Sequence, residues 1–329
     1  MITDTRQNYR VLLPGLLLGL AAFIILIFLS NSARVFTLFG SFKWTYFGVA
    51  VGLNLVHHAL RFLNLSLSLN LSGIRRISLK KRMIFYISSS ALTAADPKSN
   101  DSYRSVWLSK ACGIPLIRID SIFLIDQLSD GLSILALATL GILAYPAFWP
   151  FFALLLGLFI LSIVFLQIKS AGEGLLDAGE KLPLLRLYSR QLRQCMEGNE
   201  CLFKTFPMTI SLLLNVLSWI ALAAALFFIL VGFGLTADLT LAAVACLVLA
   251  FSIMIGFFST VPGGLGVIEL ALAGLLTFLL GFQPELAVTA TILFRMSTFW
   301  ISLLFGILFW SAAAKSCAVE PGAGSVAEG

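Results

Sequence analysis

Residues 239–280 read LTLAAVACLVLAFSIMIGFFSTVPGGLGVIELALAGLLTFLL, and Glu269 is the only charged residue among them. A helix needs about 20 apolar residues to cross the hydrocarbon core of a bilayer. Residues 239–258 meet that length, whereas 266–280 fall short of it. Between them, Pro262 stops one helix, and Gly263, Gly264 and Gly266 permit positive φ and close backbone approach. A second helix is expected to start near Gly266, with Glu269 in its first turn, where the helix dipole favours an acid. The free N–H groups of that start would suit an anion arriving from a cavity. No Walker Lys-Ser/Thr follows the glycines and no strand precedes them, so this is not a phosphate loop of the soluble kind. It is a break inside a membrane hairpin.

The rest of the chain agrees with that solvent. Of 329 residues, 59% are hydrophobic and 12% charged, half the charged share of a soluble domain, and mean hydropathy is +0.99. This excludes a soluble enzyme and a disordered chain. Twenty-eight Phe against six Tyr suit a lipid-facing surface. Five cysteines without a CxxC pair give neither a zinc site nor a disulfide framework. No cofactor and no nucleic-acid partner is expected. The expectation is an all-α polytopic membrane protein with about seven full spans, at 11–30, 46–70, 119–143, 150–168, 207–232, 239–258 and 286–313. Two shorter segments, 83–95 and 266–280, would be broken or re-entrant.

Arg75, Arg76, Lys80, Lys81 and Arg82 crowd one loop and six further cations lie in 169–205, while 144–149, 233–238 and 281–285 carry no Lys or Arg. The positive-inside rule then places both termini, 71–82 and 169–205 on the cytoplasmic side of the membrane. The 169–205 loop is either amphipathic and surface-lying or a plain solvated connection. In that orientation, 83–118 and 239–280 are hairpins opening to opposite faces. Residues 46–143 and 207–313 become the halves of an inverted repeat within one integral membrane domain, 1–329. Such repeats are a transporter architecture, with the substrate site near the midplane and one repeat rocking against the other.

Ionisable residues in the spans fall on helix faces. Asn54, His57, Arg61, Asn64 and Ser68 form one stripe, Asp126 and Asp130 with Ser129 and Ser133 a second, and Thr291, Arg295, Thr298 and Ser302 a third. His57 and the adjacent His58 point about 100° apart and cannot share a stripe. Each buried charge is expensive to keep in a membrane, which makes it a candidate for function. The plainer reading is that the charges pair and hold the bundle together.

Pro262-Gly263-Gly264-Leu265-Gly266-Val267-Ile268-Glu269, followed by Arg295 in the next helix, resembles the lysylphosphatidylglycerol synthase transmembrane region, also called the flippase-like or UPF0104 family. The resemblance covers roughly residues 11–313. Arg61 matches the family's Arg at the end of an early span. Pro97 and Arg104 sit where the family has Pro-Gly-x-x-Gly-Glu-x-x-Arg, although Asn100-Asp101 replace the Gly-Glu pair. Asp126 and Asp130 fall on its Glu-Arg-x-x-Asp, with Asp126-Gln127 in place of Glu-Arg. The resemblance implies a lipid-translocating domain acting on an anionic or aminoacylated phospholipid or another envelope lipid. Arg61, Arg104, Arg295 and the helix start at Gly264–Gly266 would engage an anionic head group, and Glu269, Asp126 and Asp130 would balance charge or contact a cationic substituent. The 169–205 loop is too short for an acyltransferase domain, so synthase activity is not carried over. Two other functions fit: a non-transporting accessory subunit of a separately encoded lipid-modifying enzyme or glycosyltransferase, and an intramembrane enzyme using the three acids.

Overall fold

The computed structural model describes residues 17, 20–28, 30–74, 77–90, 104–110, 113–142, 149–150, 152–153, 156–157, 205–259, 261 and 264–317. Among these, the ordered elements are helices and no strand occurs. The chain is an all-α polytopic membrane protein. Four described stretches are long and apolar enough to cross a bilayer: Ile119–Ile142, Pro207–Gly232, Leu239–Phe257 and Pro284–Phe309. The expected span at 150–168, the loop 169–205 and the turn around Pro97, Asn100 and Asp101 lie outside the described residues, except for a few positions near 150–157.

A sharp corner follows the expected first span. Helix α1, Leu20–Phe28, meets α2, Ser32–Ser41, at 105°. Local hydrogen bonding makes the corner. The Ser30 hydroxyl donates back to the Leu26 and Ile27 carbonyls, closing α1. The Asn31 side chain accepts the Arg34 N–H, opening α2. The corner falls at the end of the expected 11–30 span, and the described part of that span, Leu20–Phe28, is a single helix.

Helix α3, Trp44–Leu71, has 28 residues and is about 42 Å long. Its polar stripe dilutes its hydropathy, but it runs antiparallel along α7, Thr205–Gly232. The Lys43 N–H donates to the Gly232 carbonyl at one end, and Asn64 reaches Asn215 at the other. Helix α4, Leu79–Ser90, has 12 residues, about 18 Å of helix, and is followed by the short α5, 104–110. Helix α6, Leu116–Ile142, returns across the bundle.

The hairpin read from 239–280 is α8, Leu239–Phe258, and α9, Val267–Leu280. Asp238 caps α8 by accepting the Leu241 N–H at 2.7 Å. Gly264 (φ +63°) and Gly266 (φ +84°) take the left-handed backbone that the turn requires. Gly256 packs so tightly beneath Gly264 and Ile268 that a Cβ on it would collide with the Ile268 side chain. Helix α9 has 14 residues, about 21 Å, too short to cross alone. The last span starts as α10, Pro284–Arg295, widens into a π turn at Met296–Trp300, and continues as α11, Ile301–Cys317.

Two apolar cores result. The larger joins α1, the first half of α3, the second half of α6, and α7 through α10. The smaller joins Leu69, Ile74, Ile77, Phe85, Trp107 and Leu108 with Ile119 to Ile125 of α6. On α3 the cores are separated by the stretch from Ala50 to Leu69, and on α6 by that from Ile125 to Leu135. The polar stripes of both helices fall in these gaps. The two segments expected as repeat halves do not form separate bodies. Helix α4 of the first packs on α11 of the second, and α6 of the first packs on α8 of the second.

Candidate functional site

The layer between the cores is built on α3, α6 and α7. Arg61 lies in mid-helix on α3, not near the end of a span as the resemblance implied. Its Nη2 donates to Asp130 Oδ2 at 2.8 Å, and its Nη1 stands 3.7 Å from Asp126 Oδ1. The two acids are one turn apart on α6, so a single guanidinium reaches both. Asn64 Nδ2 (2.7 Å) and Asn215 Nδ2 (3.2 Å) also donate to Asp126 Oδ1. Trp219 Nε1 donates to Asp130 Oδ1 at 2.6 Å, and the Arg61 guanidinium lies 6.0 Å from the centre of the Trp219 ring. Two carboxylates thus share one arginine. The side chains of Arg61, Asp126 and Asp130 remain 21%, 34% and 23% exposed, so the centre is not fully enclosed.

Asn215 and Trp219 were missed in the sequence. Their signal was available, since Asn215 is a strongly polar residue in mid-span, which calls for a partner. The histidines divide as their angular separation requires. His57 is buried against α7, with Nδ1 3.0 Å from the Ser218 carbonyl. His58 faces α4 and α11, with Nδ1 3.2 Å from the Tyr86 hydroxyl and Nε2 2.6 Å from Ser302 Oγ. Arg104 does not join Arg61 directly. It stacks over Tyr86 at 5.6 Å, and its Nε donates to Ser89 Oγ at 2.9 Å.

A second charged centre stands apart from the first. Arg295 Nε donates to Glu269 Oε1 at 2.6 Å, and both side chains are nearly enclosed, at 8% and 2% exposure. The other Glu269 oxygen, Oε2, accepts the Gly266 N–H at 2.7 Å. That is the reciprocal arm of a capping box, and it fills the helix start with the chain's own carboxylate. The anion expected at Gly264–Gly266 would have to displace Glu269. Pro262 and Gly263 of the motif lie outside the described residues. The Arg295 guanidinium also lies 4.4 Å from the Phe299 ring centre. The six charged site residues that are described therefore fall into two centres plus the outlying Arg104, not into one polar core.

The two centres are joined through the third stripe. Asn54 Nδ2 donates to the Thr298 carbonyl at 3.2 Å and to Ser302 Oγ at 3.1 Å, tying α3 to the π turn that follows Arg295. Arg82, read from sequence as a loop cation, is 4% exposed. It donates to the carbonyls of Ser66, Ile74 and Ile77 and to Asn70 Oδ1, bracketing the end of α3 to the start of α4.

No curated protein matches the chain in a sequence search. The sequence family described as the lysylphosphatidylglycerol synthase TM region matches residues 16–306. That match takes in both charged centres, the glycine break and the π turn, and the chain belongs to this family.

Proposed function

We propose that this protein is a flippase-like translocator that moves an anionic or aminoacylated phospholipid, or another envelope lipid, across the bacterial inner membrane, with both termini cytoplasmic. The observation that carries the reading is the partly open Arg61–Asp126–Asp130 centre in the layer between two apolar cores. A head-group site must be reachable from the membrane, and a partly exposed charged centre between two apolar cores meets that need. A phosphate entering there competes with Asp126 for Arg61, and a substituent amine meets the carboxylate so released. The enclosed Glu269–Arg295 pair acts as the brace of the α8–α9 hairpin.

The exchanged contacts α4–α11 and α6–α8 support a relationship between 46–143 and 207–313, because each joins the hairpin of one segment to the last span of the other. No aminoacyl transfer is assigned, and translocation is driven by an ion gradient or runs downhill. The test is a proteoliposome assay with head-group-labelled phosphatidylglycerol, its lysyl ester and a neutral glycolipid, each read by an impermeant quencher. Fast loss of protection for one lipid supports translocation, and no movement of any lipid by folded protein refutes it. The internal pairing of both arginines favours a second reading, a non-transporting accessory subunit of a lipid-modifying enzyme. Stable co-purification with such an enzyme, without lipid movement, would select it.

A further inference from the structure

Helix α11 differs from every other long helix in where it is held. Over the described side chains 301–309 it contributes no residue to either apolar core, and Leu303 is buried outside both. Leu304, Phe305, Leu308 and Phe309 face outward. Above it, α10 is enclosed by α9, α2 and α7. The junction is the π turn, where the Ile301 N–H reaches back to the Met296 carbonyl, five residues away. A π turn is a wide, weakly bonded stretch and is one of the few places where a helix bends sharply.

Below that junction α11 lies against α4, and polar bonds from α3 hold the seam between them. The Ser302 hydroxyl has one proton, which it donates to the Thr298 carbonyl at 2.6 Å. It accepts from Asn54 Nδ2 at 3.1 Å and lies 2.6 Å from His58 Nε2. On the other side of the ring, His58 Nδ1 lies 3.2 Å from the Tyr86 hydroxyl. One imidazole from α3 thus bridges α4 and α11. His58 and Arg61, three residues apart, share a face of α3, so the seam runs beside the Arg61–Asp126–Asp130 centre.

We propose that α11 is a lateral gate: it swings about the π turn at Met296–Trp300, parts from α4 where Asn54 and His58 latch it, and opens the Arg61 centre to the bilayer. The proposal rests on the translocator reading for its purpose but not for its geometry. A lipid keeps its chains in the membrane while its head group enters the protein, so it needs a sideways door. The α4–α11 seam has the features of one: a hinge at one end, a helix whose described side chains 301–309 join neither core, and a polar latch near the charged centre.

The test is a distance measurement by pulsed electron spin resonance on the full chain, with the native cysteines replaced. One pair of spin labels sits at Met83 on α4 and Leu308 on α11, both exposed. A control pair sits at Leu217 on α7 and Leu270 on α9, also exposed and on helices of the larger core. With the latch intact, a longer Met83–Leu308 distance is expected at about a tenth of the population or less, as for a minor state. Asn54→Leu should make it the majority, a rise of at least about fivefold, with the control distance unchanged. If Asn54→Leu disturbs the control pair, His58→Leu decides, since it removes the imidazole contacts to both Ser302 and Tyr86. A Met83–Leu308 distribution that stays native in the deciding variant overturns the gate. Lipid movement without a distance change would sink the gate alone, whereas a distance change with no lipid moved would sink the translocator reading alone.

Discussion

Glu269 and Arg295 offer a test of whether a buried pair braces the α8–α9 hairpin. The N···O distance is 2.6 Å and neither side chain is more than 8% exposed. With charge centres about 4 Å apart and an effective dielectric near 20, the attraction is about 4 kcal/mol. Removing one partner strands the other charge, and such losses run at about 3–5 kcal/mol. Glu269→Leu leaves a guanidinium whose Nη2 already lacks a partner. Arg295→Met leaves a carboxylate held only by the Gly266 N–H. Each single variant should therefore lose about 3–5 kcal/mol. The double variant strands nothing and should recover most of that loss, with a coupling of at least about 2 kcal/mol. Reversible unfolding in mixed micelles with rising SDS, followed by far-ultraviolet circular dichroism, measures all four corners of the cycle. A double variant as unstable as the two singles summed would show that the pair does not brace the hairpin.

Three glycines give contrasting outcomes in the same assay. Gly141→Ala puts a Cβ 2.6 Å from Leu247 Cα and 2.7 Å from its N, backbone atoms that cannot swing aside. Helices α6 and α8 must separate, at about 1–3 kcal/mol. Gly266→Ala forces a side chain to φ +84° and should cost about 1–2 kcal/mol, whereas Gly274→Ala, with open space around it, should be neutral or stabilising. Arg82→Met leaves four acceptors without their donor and should cost about 3 kcal/mol. Faster amide hydrogen exchange confined to residues 66–82 would show the bracket opening.

The apolar run at 239–258, the glycine break and the acid in the first turn after it were legible because each is a local signal. So were the stripes on α3 and α6, since helical periodicity alone aligns them. What the sequence left open was which stripe meets which. Arg61 and Arg295 look alike as intramembrane cations, yet one shares two partly exposed acids and the other is enclosed with a single carboxylate. That difference depends on the crossing of α3 with α6 and the fold-back of α9, which are tertiary. Arg82 was misjudged for the same reason. Positive-inside counting treats every loop cation as solvated, and only the turn geometry after Leu71 brings three carbonyls round its guanidinium. The bend at Ser30 and Asn31 was hidden by hydropathy, which registers apolar length and not direction.

The unequal burial of the two centres leads to a last prediction, that stability and translocation respond to different charges. Asp126 is 34% exposed and 3.7 Å from Arg61, which keeps its closer bond to Asp130 at 2.8 Å when Asp126 is neutralised. Asp126→Asn should therefore change stability by less than about 1 kcal/mol, as expected for a loose, partly solvated pair. If the head group meets this centre, the same substitution should slow translocation at least about tenfold, the equivalent of one contact worth about 1.4 kcal/mol. At the enclosed centre the order reverses, so that Arg295→Met should lose stability first, and translocation only to the extent that folded protein is lost. Initial rates in proteoliposomes, normalised to folded protein, separate the two. Equal effects from both substitutions, or a rate loss confined to Arg295→Met, would move the head-group site to the Glu269–Arg295 pair and the π turn beside it.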